Sequence, residues 1–129
     1  MTNNQKGWSM DKKSRLGELG EAKALEYLVY NGFEIIVTNW RYGHKEIDII
    51  ARKDGLIHVV EVKTRATDYF EEPKEAVKRK KQKNLVEAAD AFIVKRNIME
   101  EVQFDIISIV MSDEKFDLEY VPQAFYPGI

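Results

Sequence analysis

Asp48, Glu61 and Lys63 are the residues whose types and spacing could do chemistry in this chain. Two β-type runs, 47–52 and 57–62, flank Asp54-Gly55, a dipeptide that specifies a tight hairpin. A two-residue turn there sets Lys53 opposite Leu56, and counting outward sets Asp48 opposite Glu61 and Glu46 opposite Lys63. Facing residues of an antiparallel pair share a face, with Cβ atoms roughly 4.5–5.5 Å apart. Like charges opposed in this way destabilise a sheet, and the surrounding Ile and Val promise burial that makes unpaired charge costlier. A hard divalent cation answers both problems. Mg²⁺ accepts oxygens from one or two carboxylates and completes its shell with water and substrate phosphate. Such an ion polarises a phosphoryl oxygen and lowers the pKa of a bound water, which Lys63 could orient while offsetting transition-state charge. The competing reading is a Glu46–Lys63 ion pair, with Asp48 and Glu61 solvated at a sheet end.

The elements that must position these residues are legible on either side. Residues 1–13 read as a flexible polar arm, 14–121 as one domain and 122–129 as a surface tail whose Phe125 and Tyr126 could meet a dimer partner. Ser14 is a plausible N-cap and Asn31-Gly32 a helix stop, with Ala24, Leu25 and Leu28 forming an apolar stripe between them. Glu21 lies on or beside that stripe, so it needs a partner, either the carboxylate site or a lysine such as Lys23 or Lys81. Residues 33–39 make a strand leading into 40–44, where Arg41 suits a phosphate or a surface ion pair equally. His58 points away from Asp48 and Glu61 by strand parity, and neither it nor His44 reads as a ligand. Pro73 opens a second helix over about 74–95. Its Val77, Lys81, Leu85, Ala88 and Phe92 fall on one stripe, so Lys81 points inward and can extend its head toward the carboxylates. Lys78, Arg79, Lys80 and Lys83 point outward, as a phosphate-binding patch or a solvated face. Residues 102–111 are apolar on both faces, a central strand in which Asp105 is structural, and 116–121 alternate as an edge strand.

Composition narrows the classes. With 129 residues the chain can hold one hydrophobic core unaided. It has no cysteine, which excludes disulfides, thiolate metal sites and cysteine nucleophiles. No apolar leader and no stretch of about 20 apolar residues is present, so no membrane association is expected and a cytoplasmic location is the default. The net charge of -2 argues neither for nor against nucleic acid, because clustering of the basic residues matters more.

The combination of Asp48, a hairpin and Glu61-Val62-Lys63 resembles the D…(D/E)xK core of the PD-(D/E)xK nucleases. More narrowly, the chain resembles the YraN-like family of predicted endonucleases, similar to archaeal Holliday junction resolvases. The resemblance rests on Gly20-Glu21 with Ala24, Tyr27 and Leu28; Gly32-Phe33; Asn39 and Arg41; 46–51; 61–65; 75–77; Lys81-Gln82; and Phe104-Asp105. Ile47 stands where the superfamily's name places proline, as in the YraN-like pattern. Tyr42-Gly43-His44-Lys45 departs from the family's usual glycine-rich turn. The resemblance implies an α/β, restriction-endonuclease-like core: a mixed sheet of about five strands with two main helices, in the order helix, three strands, helix, two strands.

It also implies a metal-dependent endonuclease acting on DNA, with branched or repair intermediates as candidate substrates. Asp48, Glu61 and the Val62 carbonyl would hold Mg²⁺ or Mn²⁺, with Glu21 acting through water and Lys63 on the attacking water. Arg41, Arg65, Lys78, Arg79, Lys81 and Gln82 would meet nucleic acid. A nucleotide cofactor is not expected, and a homodimer would be needed only for symmetric incision. Two rivals remain open at this point: a non-catalytic nucleic-acid-binding module on the same fold, and a domain held by ion pairs alone.

Overall fold

The computed structural model describes residues 4–66, 77–113 and 115–127, with side chains from Arg15 onward. The elements run α1 (Asn4–Tyr30), β1 (Glu34–Tyr42), β2 (Lys45–Lys53), β3 (Leu56–Ala66), α2 (Arg79–Arg96), β4 (Glu101–Ser112) and β5 (Lys115–Phe125). The strands form one sheet in the order β1-β2-β3-β4-β5. Every neighbouring pair is antiparallel except β3 with β4, which run parallel because α2 carries the chain back across the sheet. This is the mixed five-stranded α/β architecture expected, and it fits a restriction-endonuclease-like core.

The helices cover opposite faces. Ala24 and Leu28 of α1 pack on Ile49, Ala51, Val60, Ile107 and Ile109. Leu85, Ala88, Ala89 and Phe92 of α2 pack on Ile47, Ile50, Ile57, Val59, Phe104 and Ile106. Covering both faces explains why β3 and β4 are nearly continuous runs of apolar residues. The Asp54-Gly55 hairpin forms as read: both residues take positive φ (52° and 77°), and Lys53 pairs with Leu56.

Beyond Ile49 paired with Val60, however, β2 and β3 share no further register, so the outward count to Glu46 and Lys63 does not hold. The cause lies on the β1 side. Ile47 and Ile49, two apart on one strand, should share a face, yet they belong to opposite cores. Between their partners Trp40 and Thr38 sits Asn39 at φ 51°, a left-handed backbone that asparagine tolerates. The ribbon turns over there, sending Trp40 and Ile47 toward Phe92 and freeing Asp48 from the ladder. Glu46 pairs instead with Arg41, across β1.

Three boundaries are corrected. The helix expected from Ser14 begins at Asn4, so the arm assigned to 1–13 is helical from that residue; no proline interrupts 4–13. α2 begins at Arg79, since Val77 is buried in the core and Lys78 is extended; the start expected at 74 lies outside the described residues. The tail assigned to 122–129 is strand as far as Phe125, whose ring stacks on Phe104 with centroids 5.2 Å apart. Phe125 therefore belongs to the core of this chain and is not free for a partner. Pro122, which lacks an N–H, is tolerated because β5 is an edge strand.

At that corner the buried Asp105 carboxylate replaces a ladder rung. It accepts hydrogen bonds from Tyr120 Oη (2.7 Å), Gln123 N–H (3.0 Å) and Gln103 Nε2 (3.0 Å), and lies 2.7 Å from His58 Nδ1. Burial alone would raise its pKa, but these donors hold it below the usual carboxylate value. Asp105 and His58 are thus structural, as expected. The aromatic pair Tyr69 and Phe70 lies outside the described residues.

Candidate metal centre and cleft

Where β2 and β3 separate, a cleft of about 770 Å³ opens between the sheet and α1. Glu18 and Glu21 line it from α1, Asn39 from β1, Glu46 and Asp48 from β2, and residues 62–66 from β3. Asp48 takes part in the backbone bonding its position forgoes: its Oδ2 accepts the Val62 N–H at 2.8 Å. One carboxylate oxygen is thereby fixed to β3.

Glu61 is the more strained partner. Its side chain is 5% exposed, and its Oε2 lies 3.6 Å from Lys81 Nζ, the inward lysine of α2. Its Oε1 is buried and meets no N–H or O–H donor among the described residues, and the carboxyl hydrogen-bonds to Asp48, which requires a shared proton. Burial, reinforced by the Asp48 charge, pushes the Glu61 carboxyl up to about 8, while Lys81 and Lys63 oppose the shift. Burial also raises Asp48, against the hydrogen bond from Val62. The Asp48 charge discourages ionisation of Glu61, while the hydrogen bond from Glu61 favours the ionised form of Asp48, so the two carboxyls share one proton where a cation could stand instead.

α1 brings a third carboxylate to the cleft through a close approach. A Cβ on Gly20 would collide with the side chain of Thr64, so only glycine lets the helix lie this near β3. The next residue, Glu21, then accepts a hydrogen bond from Asn39 Nδ2 at 3.4 Å. Burial raises the Glu21 pKa; the Asn39 bond opposes this, while the charges of Asp48 and Glu46 add to it. Glu21 therefore sits within the field of the pair, not beside Lys23, which faces Glu26. Among the described residues no three His, Asp or Glu side chains converge as a closed cage. Two carboxylates with neighbouring oxygens and open space instead match the donor set of a cation that keeps waters and takes substrate oxygens.

Lys63 lines the cleft, and among the described residues it makes no ion pair or hydrogen bond. Arg65 lines the same cleft. Of the other expected contacts, Arg41 is turned to Glu46 at 3.6 Å on the exposed side of β1, which is the ion-pair reading of that residue. Lys78 and Arg79 are exposed at the start of α2, outside the cleft. Gln82 Nε2 donates to the Val77 carbonyl at 2.9 Å and steadies the entry into α2.

Asn39 and Thr64 were not singled out for the site from sequence. Asparagine is unfavourable inside a strand, and its presence in β1 was the available signal. Thr64 gave none, because its role appears only once α1 is docked.

The chain belongs to the Uncharacterised protein family UPF0102, which matches residues 20–109 and so spans the helix glutamate, the hairpin and β4. This agrees with the YraN-like resemblance. A UPF0102 protein of Bacteroides thetaiotaomicron is 42% identical over 120 residues, covering 93% of this chain and 99% of that protein. Its counterpart in Parabacteroides distasonis is 40% identical over 117 residues, covering 91% and 97%. One from Flavobacterium johnsoniae is 40% identical over 121 residues, covering 91% and 98%. Among the described residues no helix is long and apolar enough to cross a membrane.

Proposed function

We propose that this protein is a divalent-metal-dependent nuclease of the PD-(D/E)xK type, hydrolysing phosphodiester bonds in DNA. The observation that carries the reading is the buried Glu61 carboxyl hydrogen-bonded to Asp48, which lines a cleft that also holds Lys63. Asp48, Glu61 and the Val62 carbonyl would hold Mg²⁺ or Mn²⁺. When bound, such an ion lowers the pKa of a water and stabilises charge on phosphoryl oxygens.

The chain's own residues supply the remainder. Asp48, tied to Val62, keeps its carboxylate in one orientation without reorganisation. Glu21 and Asn39, on the opposite wall, accept and donate hydrogen bonds to water entering between α1 and the sheet. Lys63 Nζ, with no ion pair or hydrogen bond to give up among the described residues, is the group that meets the attacking water or a non-bridging phosphate oxygen. Arg65 meets the backbone along the same wall. Lys81 neutralises part of the Glu61 charge from the other face, so the pair survives without a cation.

The test is cleavage of labelled duplex, single strand, flap and four-way junction with Mn²⁺, comparing wild type with Lys63→Ala. Cutting that vanishes in EDTA and falls by two orders of magnitude or more in the variant supports the assignment. Structure-specific binding without cutting, unchanged in Lys63→Ala, would make this domain a binding module instead.

A further inference from the structure

A second cavity, again of about 770 Å³, lies on the α2 side of the molecule, walled by Arg79, Lys80, Gln82, Lys83 and Val86 and closed by Tyr126. Its composition is unlike a solvated helix face. Arg79, Lys80 and Lys83 make no ion pair among the described residues. The acid on its wall, Glu87, is held by Lys45 at 2.7 Å and also feels Lys83, so three cations of the groove face a carboxylate already neutralised from outside it. Tyr126 is 69% exposed, yet it follows Phe125, whose ring is locked in the core, so the tyrosine is presented from a fixed point.

We infer that this groove binds single-stranded nucleic acid, with phosphates along Arg79, Lys80 and Lys83 and an unstacked base on the Tyr126 ring. Three exposed cations within five residues of one helix suit successive phosphates of a flexible chain. The aromatic selects the strand form. A duplex keeps its base faces stacked inside, whereas a single strand can lay a base against an exposed ring. DNA and RNA share this chemistry. The inference deepens the nuclease reading by adding a single-stranded arm to the preferred substrate, but it does not require cleavage.

The experiment is fluorescence anisotropy in EDTA, with labelled single-stranded DNA, single-stranded RNA and duplex DNA of equal length. Wild type is compared with Tyr126→Ala, Tyr126→Phe and the double variant Lys80→Ala/Lys83→Ala. Stacking of one base predicts that Tyr126→Ala weakens single-strand binding about five- to tenfold, while Tyr126→Phe retains it. The lysine variant should weaken binding and flatten its salt dependence by roughly one to two contacts. A better-retained RNA strand would assign the groove to RNA; equal loss on both strands leaves it sugar-blind, and either supports the site. Single-strand affinity unchanged in both variants, or duplex binding lost in equal measure, would overturn it. Because no cation is present, a failure here leaves the Mn²⁺ cleavage result standing, and the reverse also holds.

Discussion

Replacing Glu61 by glutamine should stabilise the cation-free protein at neutral pH, and should do so only there. In the unfolded chain the Glu61 carboxyl ionises near the ordinary value of 4.5; in the fold, burial and the Asp48 charge push it up to about 8. A raised carboxyl pKa means that the native state holds a proton the unfolded chain has released. Stability is therefore fully present below pH 4.5 and is lost progressively as pH rises toward 8. Each pH unit in that window costs roughly 1.4 kcal/mol, so the loss by pH 7 is about 3 kcal/mol as an upper bound.

Glutamine removes this penalty but exchanges the carboxyl's hydrogen bond to Asp48 for an amide one, a loss of about 1 kcal/mol at most. The net gain is about 2 kcal/mol, or a rise in Tm of roughly 5–8 °C for a domain of this size. Thermal unfolding followed by circular dichroism from pH 4.5 to 8.5 in EDTA reads it directly. The wild-type Tm should fall across the window while that of Glu61→Gln stays flatter, the two meeting near pH 4.5. Parallel curves, or a variant less stable than wild type at pH 7.5, would refute the assignment of a buried carboxyl that resists ionisation.

Other outcomes follow from the same geometry. Adding millimolar Mn²⁺ should raise the wild-type Tm more at pH 8 than at pH 5, because the cation binds the ionised pair; Glu61→Gln should respond weakly at both, as a pH series of melting curves will tell. Asp48→Ala should abolish cleavage and destabilise the fold by about 1–2 kcal/mol, since Val62 N–H loses its acceptor, whereas Asp48→Asn keeps the fold and loses the activity. Gly20→Ala should cost about 1–3 kcal/mol in urea unfolding through its collision with Thr64, with partial recovery in the double variant Gly20→Ala/Thr64→Ala. Asp105→Ala should be the most damaging of these, 3 kcal/mol or more, because it strands several buried donors at once. The depressed pKa of Asp105 adds that its contribution is present above about pH 4 and disappears as pH falls further, visible as a steep acid limb in Tm.

Much of this was legible before any coordinates because the signals were local. Asp54-Gly55 dictates its turn, and that turn sets the register as far as Ile49 and Val60. The stripe through Lys81, Leu85 and Phe92 turns the lysine toward the carboxylates, and in the fold it meets Glu61. What could not be counted was the turnover of the β1–β2 ribbon at Asn39. Strand parity assumes regular pleating, and one left-handed residue reverses it, so Glu46 went to Arg41 and not to Lys63. The start of α2 escaped for a related reason: Val77 is buried in the core and Lys78 is extended, which the spacing along the helix could not disclose. The strand beyond Pro122 depends on Asp105 supplying the acceptor for Gln123, a partner 18 residues away.

The central claim is that Asp48 and Glu61 await a cation. Titrating Mn²⁺ into the protein at pH 7.5 and following the free-ion signal by electron paramagnetic resonance tests it most directly. The account predicts one Mn²⁺ bound per chain in wild type, competed by Mg²⁺, and none in Asp48→Asn. Equal binding by that variant, or a wild-type protein that leaves the free-ion signal undiminished, would contradict it.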